Sequence, residues 1–111
     1  MPLLSLSTSV EIKDKKIFIE KSSDLLGKLT KKPTSFVMVR LVDSISMYFS
    51  DSHAPCCYIE VKSIGSLNPS SMAPIISEFI SKEIGIPAKR IYINFEDVSS
   101  PNWAWDGKTF G

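Results

Sequence analysis

The first residue in the sequence whose type and position could do chemistry is the second one, a proline directly after the initiating methionine. If Met1 is removed, which the small ring of Pro2 permits, the chain begins with a secondary amine. An α-amine has a reference pKa near about 8, against about 10.4 for lysine, so it can accept a proton near neutral pH. Pro2 is therefore a candidate general base. Taken alone, an inert proline at a strand edge is the simpler interpretation.

Lys32 is the candidate partner of that amine. As a cation it could hold a substrate carboxylate, stabilise developing enolate charge and disfavour a protonated Pro2. Taken alone, Lys32 is a charge at a helix end, where a cation suits the helix dipole. Asn94 is a further candidate, because an amide inside an apolar strand needs hydrogen-bond partners.

The histidine and cysteine content gives no support for a metal or redox site. Cys56 and Cys57 are adjacent, which fits neither a disulfide framework nor a zinc spacing. His53 is the only histidine and has no second ligand at a metal-binding spacing. The sequence therefore predicts neither a metal nor a cofactor.

Length and charge limit the class of protein. With 111 residues, 43% of them hydrophobic and 23% charged, the chain is expected to form one domain over 1–111. A net charge of +1 produces no overall electrostatic field that would attract nucleic acid or anionic lipid. No apolar run approaches the ~20 residues that a membrane-spanning helix needs. The start lacks a secretory signal pattern, so we expect a cytoplasmic protein, with export by another route left open.

The first half of the chain predicts a strand, a helix and a second strand. Apolar residues alternate with serines over 4–10, the period of a half-buried strand. A helix then starts at the N-cap Asp14 and ends before Pro33. Its apolar stripe contains Phe18, Ser22, Leu25 and Leu29. The apolar run 36–42 is interpreted as a central strand covered on both faces.

The second half repeats this order at an offset of about 54 residues. Strands are predicted over 56–64 and 90–97, with a helix between them that starts after Asn68-Pro69 and ends at Gly85. A βαβ unit used twice predicts an α/β fold, a four-stranded sheet with both helices on one face.

Two helices on one face leave the other face of the sheet uncovered. Some apolar side chains of the strands must point to it, among them Phe36, Met38, Ile59 or Val61. Exposing that much apolar surface is unusual for a monomer, which predicts self-association through the bare sheet faces. The aromatic tail 102–111, with a tight turn at Asp106-Gly107, is expected to lie on a partner.

The order of several short motifs resembles the macrophage migration inhibitory factor family, within the tautomerase superfamily, over essentially the whole chain. The motifs are Pro2, Lys32-Pro33, Met47-x-Phe49, Pro55-Cys56, Ser63-Ile64-Gly65, Arg90-x-Tyr92-Ile93-Asn94, Asp97, Trp105 and Thr109-Phe110. Each motif is weak alone, but their order, their spacing and the double βαβ frame together are specific.

The resemblance implies a homotrimer whose sheets form a barrel, with active sites at the subunit boundaries. It implies cofactor-free keto–enol tautomerisation of small aromatic 2-oxo acids such as phenylpyruvate. Pro2 is then the base and Lys32 binds the substrate, together with the backbone N–H of Ile64. Asn94 reaches the site from the neighbouring subunit. Further wall or rim positions are Tyr92, Trp105 and Phe110.

The chain departs from the family pattern at three positions. Ile59 replaces the second cysteine of the Cys-x-x-Cys found in animal members, which argues against two-thiol redox chemistry. Phe36 stands where the family has a tyrosine at the pocket mouth, so the ring is kept and the hydroxyl is lost. Trp103 replaces a valine near the pocket, and we expect a narrower entrance.

Two other functions stay open at this point. In the first, the chain is a cytokine-like signalling or interaction protein that binds a receptor, and its pocket is not physiologically catalytic. In the second, the same proline performs dehalogenation or decarboxylation. Superfamily members with such activities usually add arginines near the pocket, and this chain has only Arg40 and Arg90.

Overall fold

The fold is a four-stranded mixed sheet with two helices packed on one face. It is seen in a computed structural model that describes all 111 residues. The main elements are β1 (Pro2–Thr8), α1 (Lys15–Thr30), β2 (Met38–Val42), β3 (Cys57–Ser63), α2 (Pro69–Ile84) and β4 (Ile91–Asp97). The sheet order is β2-β1-β3-β4, with β1–β2 and β3–β4 parallel and β1–β3 antiparallel. The predicted double βαβ fold is confirmed.

The two βαβ units match in the spacing of their elements along the chain as well as in the order of those elements. Both helices have 16 residues, and their starts differ by 69 − 15 = 54 positions. A short 3-10 turn leads into each second strand, Thr34–Phe36 before β2 and Ala88–Arg90 before β4, again 88 − 34 = 54 positions apart. No helix is both long and apolar enough to cross a bilayer.

The helix ends follow the predicted signals, with one difference. The Asp14 carboxylate accepts a hydrogen bond from the N–H of Ile17 at 3.1 Å and caps α1. Pro69 occupies the first turn of α2, but the Asn68 side chain does not cap that helix. The Asn68 Oδ1 accepts instead from the Ser70 hydroxyl at 3.1 Å.

The core lies between the helices and one face of the sheet. Alternate residues of β1 and β3 are buried there, and Leu26, Ile76 and Ile80 of the helices cover them with no exposed surface. The buried residues contributed by the two strands are Pro2, Leu4, Leu6, Thr8, Cys57, Ile59, Val61 and Ser63. The strand alternation therefore carries Pro2 into the core at one end of the sheet.

The position predicted for the strand at 36–42 is wrong. β2 is an edge strand that pairs only with β1, and one of its faces is uncovered, with Met38 63% exposed. The run is apolar on both faces, but apolar composition does not fix the place of a strand in a sheet. That place is set by which neighbours it pairs with.

The uncovered face is less apolar than predicted. Ile59 and Val61 both face the helices, because the alternation of β3 sends Tyr58, Glu60 and Lys62 to the other side. Exposed or half-exposed apolar and aromatic side chains lie along the margins of this uncovered face, namely Leu3, Met38, Val42, Tyr58 and Tyr92. The middle of the face is polar.

The C-terminal tail forms the predicted tight turn. Ala104–Trp105 (β5) pairs with Lys108–Thr109 (β6) in an antiparallel hairpin. Asp106 and Gly107 connect them with φ of 52° and 76°, the left-handed conformations that a type I′ turn needs. Trp105 is 63% exposed on this hairpin, so its ring has no cover within the chain.

Both thiols are expected to be inert in the folded protein. Cys56 and Cys57 are buried and unpaired, and burial raises the pKa of Cys57 to about 12, with Cys56 adding to the rise. The thiolate is the reactive form, so a raised pKa slows modification. We expect slow reaction with Ellman's reagent at pH 8 in the native state and rapid reaction of both thiols in denaturant. Rapid labelling of the native protein would contradict this placement.

Candidate functional site

A cavity of about 510 Å³ lies beside the N-terminus, and half of the candidate residues line it. Its lining residues are Met1, Lys31, Lys32, Pro33, Phe36, Ile64, Ser100 and Phe110. The two phenylalanine rings form apolar walls, and the two lysines supply positive charge. Other cavities of similar size lack the terminal amine, so this cavity is the candidate active site.

Pro2 lies immediately behind the cavity wall. It is the first residue of β1, directly opposite Ser63 in the antiparallel register, and its ring is buried on the helix side of the sheet. Met1 is half-buried and itself lines the cavity. Removal of Met1 would therefore open the wall at the Pro2 nitrogen, which becomes the terminal amine.

The electrostatic environment at the N-terminus favours a neutral amine. Partial burial lowers the pKa of the N-terminal amine below its ordinary value of 8.0, and the positive charge of Lys32 lowers it further. Both effects penalise the protonated form. In this chain the amine belongs to Met1. In the processed chain it belongs to Pro2, one residue closer to the core.

Lys32 is held against the end of α1 by backbone contacts. Its N–H donates to the carbonyl of Gly27 at 3.0 Å, and a Cβ at Gly27 would lie only 3.1 Å from the carbonyl oxygen of Lys32 and from the Thr34 methyl. The absence of a side chain at Gly27 therefore allows this segment to close onto the helix. The Lys32 ammonium has no carboxylate within ion-pair distance, so it is available to a ligand.

The turn that carries Ile64 is fixed from β4. The Asp97 carboxylate accepts from the N–H of Gly65 at 2.8 Å, and the N–H of Val98 donates to the Ser63 carbonyl at 2.8 Å. Gly65 has φ of 67°, which favours glycine. The N–H of Ile64 donates to no acceptor in the chain and borders the cavity, so it can bind an oxygen of a ligand.

Three predicted site residues lie outside this cavity. Tyr92 and Asn94 are on the uncovered face of the sheet, where the Tyr92 ring packs on Phe49 with centroids 4.5 Å apart. Trp105 is exposed on the C-terminal hairpin. The fold of one chain therefore does not bring these residues to Pro2. Trp103 is also absent from the lining, and its carbonyl accepts from the N–H of Phe110 at 3.0 Å.

The two arginines serve the fold and do not line the cavity. Arg40 donates to the Ser5 hydroxyl at 2.9 Å on the uncovered face. Arg90 donates to four backbone carbonyls of the loop before β3, those of Phe49, Ser52, Ala54 and Pro55. Neither guanidinium lines the cavity of its own chain.

The motifs and the double βαβ sheet match one family over the full chain. The sequence profile described as "Macrophage migration inhibitory factor (MIF)" matches residues 1–111. The chain belongs to the macrophage migration inhibitory factor family. It is 35% identical to macrophage migration inhibitory factor of Xenopus tropicalis over 78% of this chain and 77% of the relative. Identity to the homologue of Brugia malayi is 31% over the full length of both.

Solved structures of macrophage migration inhibitory factors have the same fold. The homologue from Prochlorococcus marinus superimposes with a TM-score of 0.94 at 39% identity, covering 98% of this chain and 99% of that one. The protein from Trichinella spiralis gives 0.92 at 28% identity, covering 97% and 99%. The family lies within the tautomerase superfamily, which supports an isomerase-type activity in general terms.

Replacement of Lys32 is expected to change the titration of the terminal amine. The change Lys32→Met removes a positive charge beside the amine, so the protonated amine is less disfavoured and its pKa should rise. The pKa can be measured by NMR titration of protein labelled with ¹⁵N-proline after loss of Met1. Lys16→Met, on an exposed part of α1, is the matched control and should leave that pKa unchanged. An equal effect of the two changes would mean that Lys32 does not act on the amine.

Proposed function

We propose that the protein is a cofactor-free keto–enol tautomerase for phenylpyruvate-like aromatic 2-oxo acids, with Pro2 as the general base after Met1 is removed. The observation that carries the proposal is a terminal amine with a lowered pKa at a cavity that combines a free lysine ammonium with two phenyl rings. An amine that is neutral near the working pH is an efficient base.

The proton transfer uses a single amine. In the direction of ketonisation, the neutral Pro2 nitrogen accepts the proton of the enol O–H, and that bond's electron pair forms the carbonyl. The electron pair of the carbon–carbon double bond then takes the proton from the Pro2 ammonium at the carbon next to the carbonyl. The amine is regenerated, and no electron is gained or lost. The ring of Pro2 fixes the direction of the amine, which reduces the ordering that the transfer needs.

Binding of phenylpyruvate is assigned to four of the residues that line the cavity, namely Lys32, Ile64, Phe36 and Phe110. The Lys32 ammonium binds the carboxylate and stabilises the enolate charge that develops on the 2-oxygen. The free N–H of Ile64 donates a second hydrogen bond. Phe36 and Phe110 are 45% and 39% exposed, and a bound phenyl ring would cover both.

Completion of the site is assigned to a neighbouring subunit in a homotrimer. Asn94, Tyr92 and Trp105 are exposed and lie away from the Pro2 of their own chain. The uncovered sheet face and the hairpin are the surfaces on which another copy can bring them to a cavity. The family membership supports this assembly.

A second candidate function is a cytokine-like interaction with a receptor protein. It is favoured by the names of the relatives, which are macrophage migration inhibitory factors. It would require export from the cytoplasm, which is the location that we propose for the enzyme. A trimer that binds a partner and shows no turnover of any 2-oxo acid would favour this function over catalysis.

Replacement of Pro2 tests the proposed base directly. Pro2→Gly should lower kcat/KM for phenylpyruvate by about 10²-fold or more, because a positioned base contributes about 10²–10⁴-fold. Pro74→Ala, an exposed proline within α2, is the control and should retain the parent rate. The mass of the assembly should be unchanged for Pro2→Gly, and loss of the buried ring should lower its melting temperature without abolishing folding. A Pro2→Gly protein with the parent rate would end the proposal.

Mixed assemblies test whether Asn94 acts across a subunit boundary. Pro2→Gly and Asn94→Ala chains, unfolded together at equal amounts and refolded, should regain activity. About a quarter of the sites at random mixing combine Pro2 of one chain with Asn94 of the next. Refolding each variant separately and then pooling the samples is the control. If the mixture is no more active than the pool, Asn94 does not complete the site of a neighbour.

A further inference from the structure

The polar part of the candidate cavity consists of hydrogen-bond donors and contains no carboxylate. Lys31, Lys32 and Ser100 are its polar side chains. The ion pairs of the structure engage Lys15, Lys21, Lys62 and Lys82, so neither lysine of the cavity is neutralised within the chain. The Ser100 hydroxyl also makes no hydrogen bond to the chain. A ligand with one carboxylate leaves the second ammonium without a partner.

The backbone at Lys31 shows that this lysine occupies a position suited to glycine. Lys31 ends α1 with φ of 57° and ψ of 37°, the left-handed conformation that disfavours a residue with a Cβ. The repeat supplies an internal comparison, because the equivalent position at the end of α2 is 31 + 54 = 85. Gly85 stands there with φ of 74°. The C-cap of α2, which lies away from the cavity, is therefore a glycine, whereas the equivalent C-cap of α1, which lies beside the cavity, is a lysine.

We propose that Lys31 is a second anion-binding position of the cavity, and that the preferred substrates are aromatic 2-oxo acids with a further acidic group on the ring side. Lys32 takes the 2-oxo carboxylate, and Lys31 takes the distal acid. The cavity, at about 510 Å³, has a volume in the range of small-molecule sites and leaves room for a ring substituent. This inference rests on the proposed tautomerase function for its reaction and on the two lysines for its selectivity.

The change Lys31→Gly removes the charge without endangering the fold. Glycine is the favoured residue for this backbone conformation, so the melting temperature should be equal to that of the parent or higher. Lys16→Gln, on an exposed part of the same helix, removes one positive charge far from the cavity and is the matched control. Lys31→Arg keeps the charge and should behave as the parent does.

The measurement compares kcat/KM for 4-carboxyphenylpyruvate, a dianion, with that for phenylpyruvate. The parent should have the higher kcat/KM for the dianion. Lys31→Gly should lower kcat/KM for the dianion by about fivefold and should change kcat/KM for phenylpyruvate by less than about twofold. The difference should shrink in high salt, because the ammonium is exposed. Equal effects of Lys31→Gly on both substrates, or no effect on either, would overturn the proposal.

A binding measurement separates this proposal from the catalytic one. Calorimetric affinities of 4-carboxycinnamate and cinnamate do not depend on turnover. If the parent turns over neither 2-oxo acid but binds the dicarboxylate more tightly in a way that Lys31→Gly abolishes, the tautomerase proposal fails and the anion position stands. If phenylpyruvate turns over, but 4-carboxyphenylpyruvate is not preferred over it and 4-carboxycinnamate binds no more tightly than cinnamate, the tautomerase proposal stands and the role of Lys31 is refuted.

Discussion

The antiparallel pairing of β1 with β3 is the constraint on which the candidate site depends. Its register runs from Pro2–Ser63 to Thr8–Cys57 and is fixed by alternate core residues of both strands. A slip of one residue would turn every side chain of β1 to the other face and expose its core residues to solvent. The hydrophobic core therefore fixes the start of the chain beside the Ile64 turn, and the end of α1 brings Lys32 to the same place.

The elements of the fold were predictable because their signals are local. The cap at Asp14, the left-handed glycine at 85 and the turn at Asp106-Gly107 each depend on a few neighbouring residues. The placement of β2 at an edge and of Ile59 on the helix side was not predictable in this way. Both depend on which strands pair, and an apolar run is compatible with either arrangement.

The site was predictable in part, and the missed residues show why. Pro2 and Lys32 were named from their chemistry, and Ile64, Phe36 and Phe110 were named from the resemblance. The structure brings the last four to the cavity, with Pro2 behind its wall. Lys31 and Ser100 were missed. Adjacency to Lys32 was a weak signal for Lys31, since the side chains of adjacent residues often point apart. Only the structure shows that both line the cavity. Nothing near Ser100 in the sequence indicates that the C-terminal tail returns to the N-terminus.

The central claim is that the free amine of Pro2 performs the proton transfer. If so, activity requires that Met1 has been removed. The most direct measurement combines intact-mass analysis with the phenylpyruvate rate on preparations that differ in the fraction of chains lacking Met1. The rate per chain should rise in proportion to that fraction and extrapolate to nearly zero for chains that keep Met1, in which Pro2 is an amide. A preparation that retains Met1 throughout and turns over phenylpyruvate at the full rate would contradict the claim.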